Sequence, residues 1–510
     1  MKPTELLSIR NWTVSYPGAD WAAVDRVTLY LAPGEVLGLI GESGCGKSTL
    51  GRSLLRAVGI DGLPPGTEVT GTLDWRGGTM GLVFQDPMTR LNPLMSIREH
   101  GLEVLRSHHP RMLEVERRRR VADTLRAVGL DPGRSRQFPH EFSGGMRQRV
   151  GIALALLLEP DLVIADEPTT SLDATVAHEI LRELCRLCRD RQKALLLISH
   201  DLGMVGQYCD RLAVMDDGAI VECRATQAMY AQPQHPYTRQ LLQTHLPQSG
   251  IPPESAPLLR VQDLSKSYAG GGWGSKGRVL ALDQVSFTVC RGELLGIIGE
   301  SGSGKSTLAR LLLHLIPPDH GTVWFQQQNL TTLKGPALRK LRSQMQLIVQ
   351  DPRASLPPHR TIAEILAEPL EIHQPQHPNI GAAMLEILDR VELPRAYAQR
   401  RPRDLSGGQL QRVAIARALI MHPQLVICDE PVSMLDVTIQ NQILELLLSL
   451  QQQEGLTYVL ITHDLRIARA LCHRILILHR GRAVELGPTA EVFAHPQHPY
   501  TQQLLQNISA

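Results

Sequence analysis

The sequence predicts an α/β fold that the chain builds twice. In each half an apolar strand, Val36–Ile40 or Leu294–Ile298, leads directly into a glycine-rich loop and then into a helical pattern. Further landmarks, such as Ser143 with Ser406, recur in the same order and at one constant spacing. A repeat this long indicates two copies of one domain rather than a solenoid.

The repeat divides the 510 residues into two domains of about 250 residues, each large enough to bury its own core. We expect the first domain at residues 1–243 and the second at residues 258–510. Residues 244–257 between them are rich in proline, glycine and serine, which is typical of an interdomain linker. Each domain ends in a short tail with the same His-Pro-Tyr sequence, at residues 232–242 and 495–505.

Composition excludes several classes of protein. The net charge of +2 and the eight scattered cysteines argue against a general nucleic-acid binder and against a disulfide framework. No apolar stretch approaches the ~20 residues of a membrane-spanning helix, and the first residues lack the order of a signal peptide, so we expect a cytoplasmic protein. Cys185 and Cys188 form a C-x-x-C pair, but the helical spacing of the apolar residues around them predicts two buried helix cysteines.

The predicted elements follow one order in each half. A β-rich start precedes the apolar strand, the glycine-rich loop and its helix, and a helical stretch, a Ser-Gly-Gly helix and two further strands come after them. Strands that alternate with helices predict a mainly parallel sheet, here with a β-rich N-terminal subdomain and an inserted α-helical subdomain. The paired segments lie at residues 24–31 and 282–289 (β-rich start), 48–58 and 306–315 (first helix), 113–128 and 382–391 (helical stretch), and 162–165 and 425–428 (buried strand).

The two glycine-rich loops match the P-loop pattern, which binds nucleotide phosphates. Its glycines let backbone N–H groups turn toward phosphate oxygens at a helix N-terminus, where the helix dipole favours negative charge. In this pattern Lys47 and Lys305 reach the β- and γ-phosphates of ATP, and Ser48 and Ser306 hold Mg²⁺. The predicted loop residues are Gly41, Glu42, Ser43, Gly44, Cys45, Gly46, Lys47, Ser48 and Thr49, and Gly299, Glu300, Ser301, Gly302, Ser303, Gly304, Lys305, Ser306 and Thr307.

An acidic pair ends the buried strand of each half. Ligands of an open α/β sheet gather at the carboxyl ends of its strands, so Asp166 and Asp429 are expected near the Mg²⁺. The next residues, Glu167 and Glu430, are placed to orient and polarise an attacking water. From residue types alone, the chain is predicted to be a tandem P-loop ATPase.

The remaining motifs carry a resemblance to a known family. The segment at residues 405–409 resembles the signature of ABC ATPases, and this resemblance implies that Ser406, Gly407, Gly408 and Gln409 bind the nucleotide. Its near copy, with Ser143, Gly144 and Gly145, has Met146 where the family usually has glutamine. The family's other motif positions are occupied by Gln85 and Gln350 (Q-loop), residues 171–173 and 434–436 (D-loop), His200 and His463 (switch histidine), and Tyr16 and Tyr268 (the aromatic that stacks on adenine).

This resemblance covers nearly the whole chain and implies two fused nucleotide-binding domains of an ABC transporter. It implies that Gln85 and Gln350 also approach the Mg²⁺ and, with the switch histidines, belong to the catalytic set.

The resemblance further implies a head-to-tail pairing, in which the signature of one domain closes the ATP site of the other. One site would then join Lys47, Asp166 and Glu167 with the signature at Ser406, and the other Lys305, Asp429 and Glu430 with the signature at Ser143. Since Met146 leaves the phosphate contacts in place, we expect modest asymmetry and two competent sites.

The tails narrow the resemblance to importer ATPases for peptides and nickel. It implies a peripheral ATPase on the cytoplasmic face of the inner membrane, partnered by two permease subunits and an extracytoplasmic solute-binding protein. Peptide is the expected solute, with nickel, glutathione-like and opine-like solutes as alternatives, and export is not formally excluded. A soluble ABC ATPase that acts on ribosomes or DNA is the main rival, but the short linker and the tails argue against it. The presence of both glutamates argues against a purely regulatory nucleotide binder.

Overall fold

A computed structural model describes residues 5–60, 62–85, 91–169, 172, 174–199, 201–242, 256–269, 278–300, 302–433 and 435–509. These residues form two compact units, Met1–Thr244 and His245–Ala510. Most of the predicted linker lies outside the described residues, and Pro257, which we assigned to the linker, is the first residue of a strand. A glycine-rich segment at residues 270–274, which the sequence predicts to be a hairpin loop, also lies outside them.

The first unit contains two sheets. Its three-stranded antiparallel sheet has the order β2-β1-β4, and its six-stranded sheet has the order β5-β6-β7-β3-β8-β9, in which all neighbours are parallel except β8 and β9. The strands are β1 (Leu7–Ser15), β2 (Val24–Leu31), β3 (Val36–Ile40), β4 (Glu68–Trp75), β5 (Met80–Val83), β6 (Leu162–Asp166), β7 (Ala194–Ser199), β8 (Arg211–Asp216) and β9 (Ala219–Ala225).

The helices of the first unit fall into three groups. The helix after the P-loop and the helices Ala174–Asp190 and Leu202–Val205 pack on the six-stranded sheet, three helices form the inserted helical subdomain, and two short helices lie at the C-terminal end of the unit. They are α1 (Lys47–Ser53), α2 (Ile97–His108), α3 (Glu114–Ala127), α4 (Gly144–Leu156), α5 (Ala174–Asp190), α6 (Leu202–Val205), α7 (Thr226–Ala231) and α8 (Pro236–Leu242). The predicted first helix is α-helical only to Ser53 and continues as a 3-10 helix over Leu54–Val58.

The second unit repeats this plan. A four-stranded antiparallel sheet has the order β11-β10-β13-β14, and a six-stranded sheet has the order β15-β16-β17-β12-β18-β19 with β19 antiparallel. The strands are β10 (Pro257–Ala269), β11 (Arg278–Cys290), β12 (Leu294–Ile298), β13 (His320–Phe325), β14 (Gln328–Asn329), β15 (Met345–Ile348), β16 (Leu425–Asp429), β17 (Thr457–Thr462), β18 (Arg474–His479) and β19 (Arg482–Pro488). The helices are α9 (Lys305–Leu312), α10 (Gly335–Arg342), α11 (Pro352–Ser355), α12 (Ile362–His373), α13 (Ile380–Arg390), α14 (Gly407–Leu419), α15 (Val437–Glu454), α16 (Leu465–Leu471), α17 (Thr489–Ala494) and α18 (Pro499–Ser509).

The central strands of each six-stranded sheet are buried on both faces, which explains why they are almost wholly apolar. In β3, Val36 and Ile40 pack into a core shared with the helical subdomain, whereas Leu37 and Leu39 pack into a core shared with the antiparallel sheet. Alternate side chains of a strand point to opposite faces, so one short run supplies both cores. The predicted α/β class, with its β-rich and helical subdomains, is confirmed.

Two expectations from composition can be compared with the structure. Cys185 and Cys188 are free and buried in α5, which confirms the structural interpretation of the C-x-x-C pair. Burial raises the pKa of the Cys185 thiol to about 12, so it is protonated at neutral pH. Within the described ranges, no helix has the length and apolar character needed to cross a bilayer.

Candidate functional site

Each P-loop connects a buried strand to the helix that follows it, from β3 to α1 and from β12 to α9. The last glycine before each lysine, Gly46 or Gly304, adopts a left-handed conformation with φ of 105° and 107°. A Cβ atom on Gly46 would lie 2.1 Å from the carbonyl oxygen of Ala23, and one on Gly304 would lie 2.5 Å from that of Ala281. Both turns therefore require glycine, as the motif predicts.

The lysine that follows is buried and bound by its own loop. Lys47 Nζ donates to the carbonyl oxygens of Gly41 at 2.8 Å and Glu42 at 2.7 Å. Lys305 Nζ makes the equivalent bonds to Gly299 at 2.6 Å and Glu300 at 2.8 Å. Lys47 and Lys305 are only 4% and 7% exposed. The backbone carbonyls thus hold each ammonium beside the loop amides that the motif assigns to phosphate.

The hydroxyl after the lysine meets the carboxylate at the end of the neighbouring strand. Ser48 Oγ donates to Asp166 Oδ1 at 2.6 Å, and Arg52 Nη2 lies 3.3 Å from the other carboxylate oxygen. In the second unit, burial raises the pKa of Asp429, and a hydrogen bond from Ser306 opposes that shift. Both predicted pairs therefore meet at the carboxyl end of the sheet.

The predicted catalytic glutamates stand beside the predicted Q-loop glutamines. Gln85 Nε2 donates to Glu167 Oε2 at 2.9 Å, and Gln350 Nε2 donates to Glu430 Oε2 at 2.8 Å. Both glutamates have a left-handed backbone, with φ of 47° and 49°, a conformation that costs about 1–3 kcal/mol outside glycine. This turn at the strand end directs each carboxylate to the edge of the sheet where the P-loop lies.

The predicted switch histidine of the second unit contacts the predicted catalytic glutamate. His463 Nδ1 lies 3.1 Å from Glu430 Oε1. Burial lowers the pKa of His463, but the hydrogen bond and negative charge of Glu430 outweigh burial and raise it. Conversely, burial raises the pKa of Glu430, and the His463 contact lowers it overall. His200, the corresponding residue of the first unit, lies outside the described residues.

Each signature serine caps the helix that follows it. Ser406 Oγ accepts from the backbone N–H of Gln409, and Gln409 Oε1 accepts from the N–H of Ser406, which closes a capping box. Ser143 accepts from the N–H of Met146, but methionine cannot complete the box. The sulfur of Met146 accepts instead from Arg134 Nη1 at 3.3 Å.

The predicted adenine-stacking tyrosines lie near the antiparallel sheets. The Tyr16 hydroxyl is 2.9 Å from Thr49 Oγ1 in the P-loop helix, so this ring is beside the phosphate site. Tyr268, near the end of β10, is 40% exposed. Cys45 is buried and lies 3.7 Å from Lys47 Nζ, and burial raises the pKa of its thiol.

Within the described residues, each unit brings together its P-loop lysine and serine, the strand-end aspartate and glutamate, and the Q-loop glutamine. Among the predicted residues, Ser301 lies outside the described part of the chain. Residues 171, 173 and 434 of the D-loops lie outside it as well.

Sequence reasoning missed a contact between the C-terminal tails and the P-loops. The hydroxyl of Tyr237 accepts a hydrogen bond from the backbone N–H of Glu42 at 3.2 Å, and that of Tyr500 accepts one from Glu300 at 3.3 Å. One sequence signal pointed to the importance of the tails, although not to this contact. The His-Pro-Tyr sequence recurs between the two halves at the same spacing as the predicted catalytic motifs.

Comparison with known proteins gives matches over almost the full length. A family model described as ABC transporter matches residues 24–170 and 282–433. A second, described as the C-terminal region of oligopeptide/dipeptide transporters, matches residues 221–252 and 484–510. Both models thus match twice, once in each unit.

Individual relatives are similar over both units. The glutathione import ATP-binding protein GsiA of Pectobacterium atrosepticum is 37% identical, covering 99% of this chain and 89% of the relative. The uncharacterized ABC transporter ATP-binding protein YejF of Escherichia coli is 41% identical, covering 98% and 99%. The peptidoglycan transport ATP-binding protein YejF of Agrobacterium fabrum is 39% identical, covering 98% and 96%.

The contact between His463 and Glu430 predicts an imidazole that titrates above the ordinary pKa of 6.5. Because the folded-state pKa is raised, the stabilisation from this pair is complete below the ordinary value and disappears as the pH rises through the raised value. A histidine NMR titration of the full chain, assigned with His463→Gln, measures it. In Glu430→Gln, burial dominates and the pKa should fall below 6.5. An unchanged pKa in that variant would contradict the contact.

Proposed function

The chain belongs to the ABC transporter family, and we propose that it is the peripheral ATPase that energises import of a small solute, most directly di- or oligopeptides. Membership of the family means that both units bind ATP and that the chain is an ATPase coupled to transport. The observation that carries the proposal is the repeated tail, because it is described for oligopeptide and dipeptide transporters and follows each ATPase unit.

The proposed reaction needs both units at each ATP. A P-loop covers one side of the triphosphate, and the start of the signature helix offers a second set of backbone N–H groups to the γ-phosphate. Ser143 and Ser406 are exposed in their own units, which supports a role for these helix starts toward another surface. We assign Lys47, Asp166 and Glu167 to one site with Ser406, Gly407 and Gly408. The second site combines Lys305, Asp429 and Glu430 with Ser143, Gly144 and Gly145.

The residues at the strand end fit a magnesium ion. Ser48 Oγ and Asp166 Oδ1 are neighbouring hard oxygen ligands of the kind Mg²⁺ prefers, and Ser306 with Asp429 repeats them. Gln85 and Gln350 are assigned as the further ligands of the two sites. The ion supplies charge neutralisation of the phosphate oxygens when it is bound.

The chemistry at each site is transfer of the γ-phosphoryl group to water. The lysine and the P-loop amides hold the phosphate oxygens, and the glutamate orients the water and accepts its proton. The amide of Gln85 or Gln350 fixes the orientation of that carboxylate. In the second unit His463 contacts the same glutamate, so it holds the carboxylate toward the phosphate side, and His200 is assigned the same role.

The proposed partners follow from import. ABC ATPases of importers work with membrane permease subunits, and we propose two such subunits, an extracytoplasmic solute-binding protein, and attachment at the cytoplasmic face of the membrane. No nucleic acid is expected as a partner, since the net charge is only +2. ATP binding would bring each signature onto its nucleotide, and hydrolysis would release the signatures again. This closing and opening would be transmitted to the permease subunits.

Peptide is preferred as the solute over glutathione and nickel. The relatives named for peptidoglycan transport and for glutathione import both concern peptide-type solutes, which supports that class. A specific observation favours glutathione as the second candidate, since several relatives of 37% and 38% identity are named for glutathione import.

Removal of either catalytic carboxylate should impair hydrolysis while ATP still binds. We expect Glu167→Gln and Glu430→Gln each to lower the steady-state ATPase rate, and the double variant to lose about 100-fold or more, the usual contribution of general acid–base catalysis. Glu68→Gln, at an exposed glutamate of β4, is the matched control and should keep the wild-type rate. Full activity in either catalytic variant would refute the assignment for that unit.

The solute class is tested by transport in proteoliposomes. The chain is co-purified with its permease subunits and binding protein, and ATPase stimulation and uptake are measured with a dipeptide, an oligopeptide, glutathione and Ni²⁺. We expect stimulation by peptides and none in the Glu167→Gln/Glu430→Gln complex. Uptake of Ni²⁺ alone, or co-purification with ribosomes or DNA in place of permeases, would overturn the proposal.

A further inference from the structure

The His-Pro-Tyr tail of each unit is anchored to the body of that unit by one carboxylate, which is buried in the first unit and partly buried in the second. Glu222 in β9 accepts from the backbone N–H groups of Gln234 (3.0 Å) and His235 (2.9 Å). Its pKa is lowered, because these hydrogen bonds outweigh the opposing effect of burial. The carboxylate is therefore ionised at neutral pH and fixes the turn that leads into α8.

The second unit uses the same anchor. Glu485 in β19 accepts from the backbone N–H groups of Gln497 at 2.9 Å and His498 at 3.1 Å. Its pKa is also lowered against the effect of burial. Two units with different surface sequences thus hold the tail by one mechanism.

From this anchored turn a tyrosine reaches the first part of the P-loop. The Tyr237 hydroxyl accepts from the N–H of Glu42, and the carbonyl of the same Glu42 accepts from Lys47 Nζ at 2.7 Å. One residue of the loop is therefore held from both sides, by the tail through its N–H and by the catalytic lysine through its carbonyl.

The path recurs in the second unit with different neighbours. Tyr500 accepts from the N–H of Glu300, and the carbonyl of Glu300 accepts from Lys305 Nζ at 2.8 Å. The Tyr500 ring lies 3.8 Å from that of His479, whereas the first unit has Asp216 at the equivalent place in the repeat. The hydroxyl contact is thus retained although its surroundings differ.

We propose that Tyr237 and Tyr500 are positioning residues for ATP binding, and that each tail acts as a strap that holds the P-loop in the shape its lysine requires. The hydroxyl accepts a hydrogen bond from a backbone N–H at the start of the loop. It thereby fixes the orientation of the peptide group whose carbonyl oxygen accepts a hydrogen bond from the lysine. Without that bond the loop start gains freedom, and the lysine must be ordered when ATP binds. The strap therefore links the C-terminal tail of each unit to the affinity of that unit for ATP.

The inference predicts a specific kinetic signature. The variant Tyr237→Phe/Tyr500→Phe keeps both rings and removes only the hydroxyls. We expect its KM for ATP to rise about three- to tenfold, the worth of one neutral hydrogen bond at each site. We expect kcat to change by less than about twofold, because the lysine contacts phosphate oxygens in both the ground and transition states. Equilibrium ATP binding should weaken by the same factor as KM rises.

A matched control is available just before the tail of the first unit. The Tyr230 hydroxyl donates to the carbonyl of Leu202 at 2.6 Å and not to the P-loop, and the second unit has Phe493 at the equivalent place. Tyr230→Phe should leave KM and kcat at wild-type values. Glu222→Gln/Glu485→Gln, which weakens the anchor alone, should raise KM in the same direction as the tyrosine variant.

Three outcomes would overturn the inference. They are an unchanged KM for ATP in Tyr237→Phe/Tyr500→Phe, an equal rise in Tyr230→Phe, and a fall in kcat as large as the rise in KM. The inference rests only on the ATPase activity of the proposed function. Failure of peptide uptake therefore leaves it standing, whereas absence of ATPase activity in the wild-type chain would be a failure of the proposed function itself.

Discussion

Both sites depend on one constraint. A lysine ammonium is buried at the start of a helix, and the protein itself must supply its hydrogen bonds when no phosphate is bound. A buried charge without hydrogen bonds costs far more than a domain can afford. Here the carbonyls of Gly41 and Glu42 bind Lys47, and the same arrangement serves Lys305. The loop must turn tightly for its carbonyls to face the lysine, and the left-handed Gly46 makes this turn possible. The strand, the helix and the proposed strap all help to hold the loop in the conformation that binds the lysine.

Much of this arrangement could be predicted from the sequence, for physical reasons. Strand β3 is apolar along its whole length because it is buried on two faces, so its bounds can be predicted from the sequence. The glycine, lysine and serine pattern that follows it is typical of a phosphate-binding loop. The meeting of Ser48 with Asp166 follows from parallel strands that end at one edge. The contact of Tyr237 with Glu42 was missed, because it joins residues far apart in the chain, and the constant spacing of the His-Pro-Tyr sequence does not show what its tyrosine contacts. The capping role of Gln409 was hidden as well, since we had assigned it to the nucleotide.

The two units are duplicated in fold and differ in detail at the signature. Gln409 completes a capping box with Ser406. In the first unit Ser143 accepts from the N–H of Met146, but the methionine side chain does not accept from the N–H of Ser143, and its sulfur accepts from Arg134. A capping interaction is worth about 1 kcal/mol, which is enough to change how firmly a helix start is held but not enough to remove the helix. This supports modest asymmetry between two working sites, in which the signature containing Met146 is the less rigid one.

The central claim is that each ATP is held by the P-loop of one unit and the signature of the other. It is tested most directly by ATP titration of two double variants in the Glu167→Gln/Glu430→Gln background. In our assignment Lys47 and Ser406 share a site, so Lys47→Ala/Ser406→Ala should retain one tight ATP per chain. Lys47→Ala/Ser143→Ala damages both sites and should retain none. The reverse pattern, with one tight ATP kept only by Lys47→Ala/Ser143→Ala, would show that each unit completes its own site and would contradict the account.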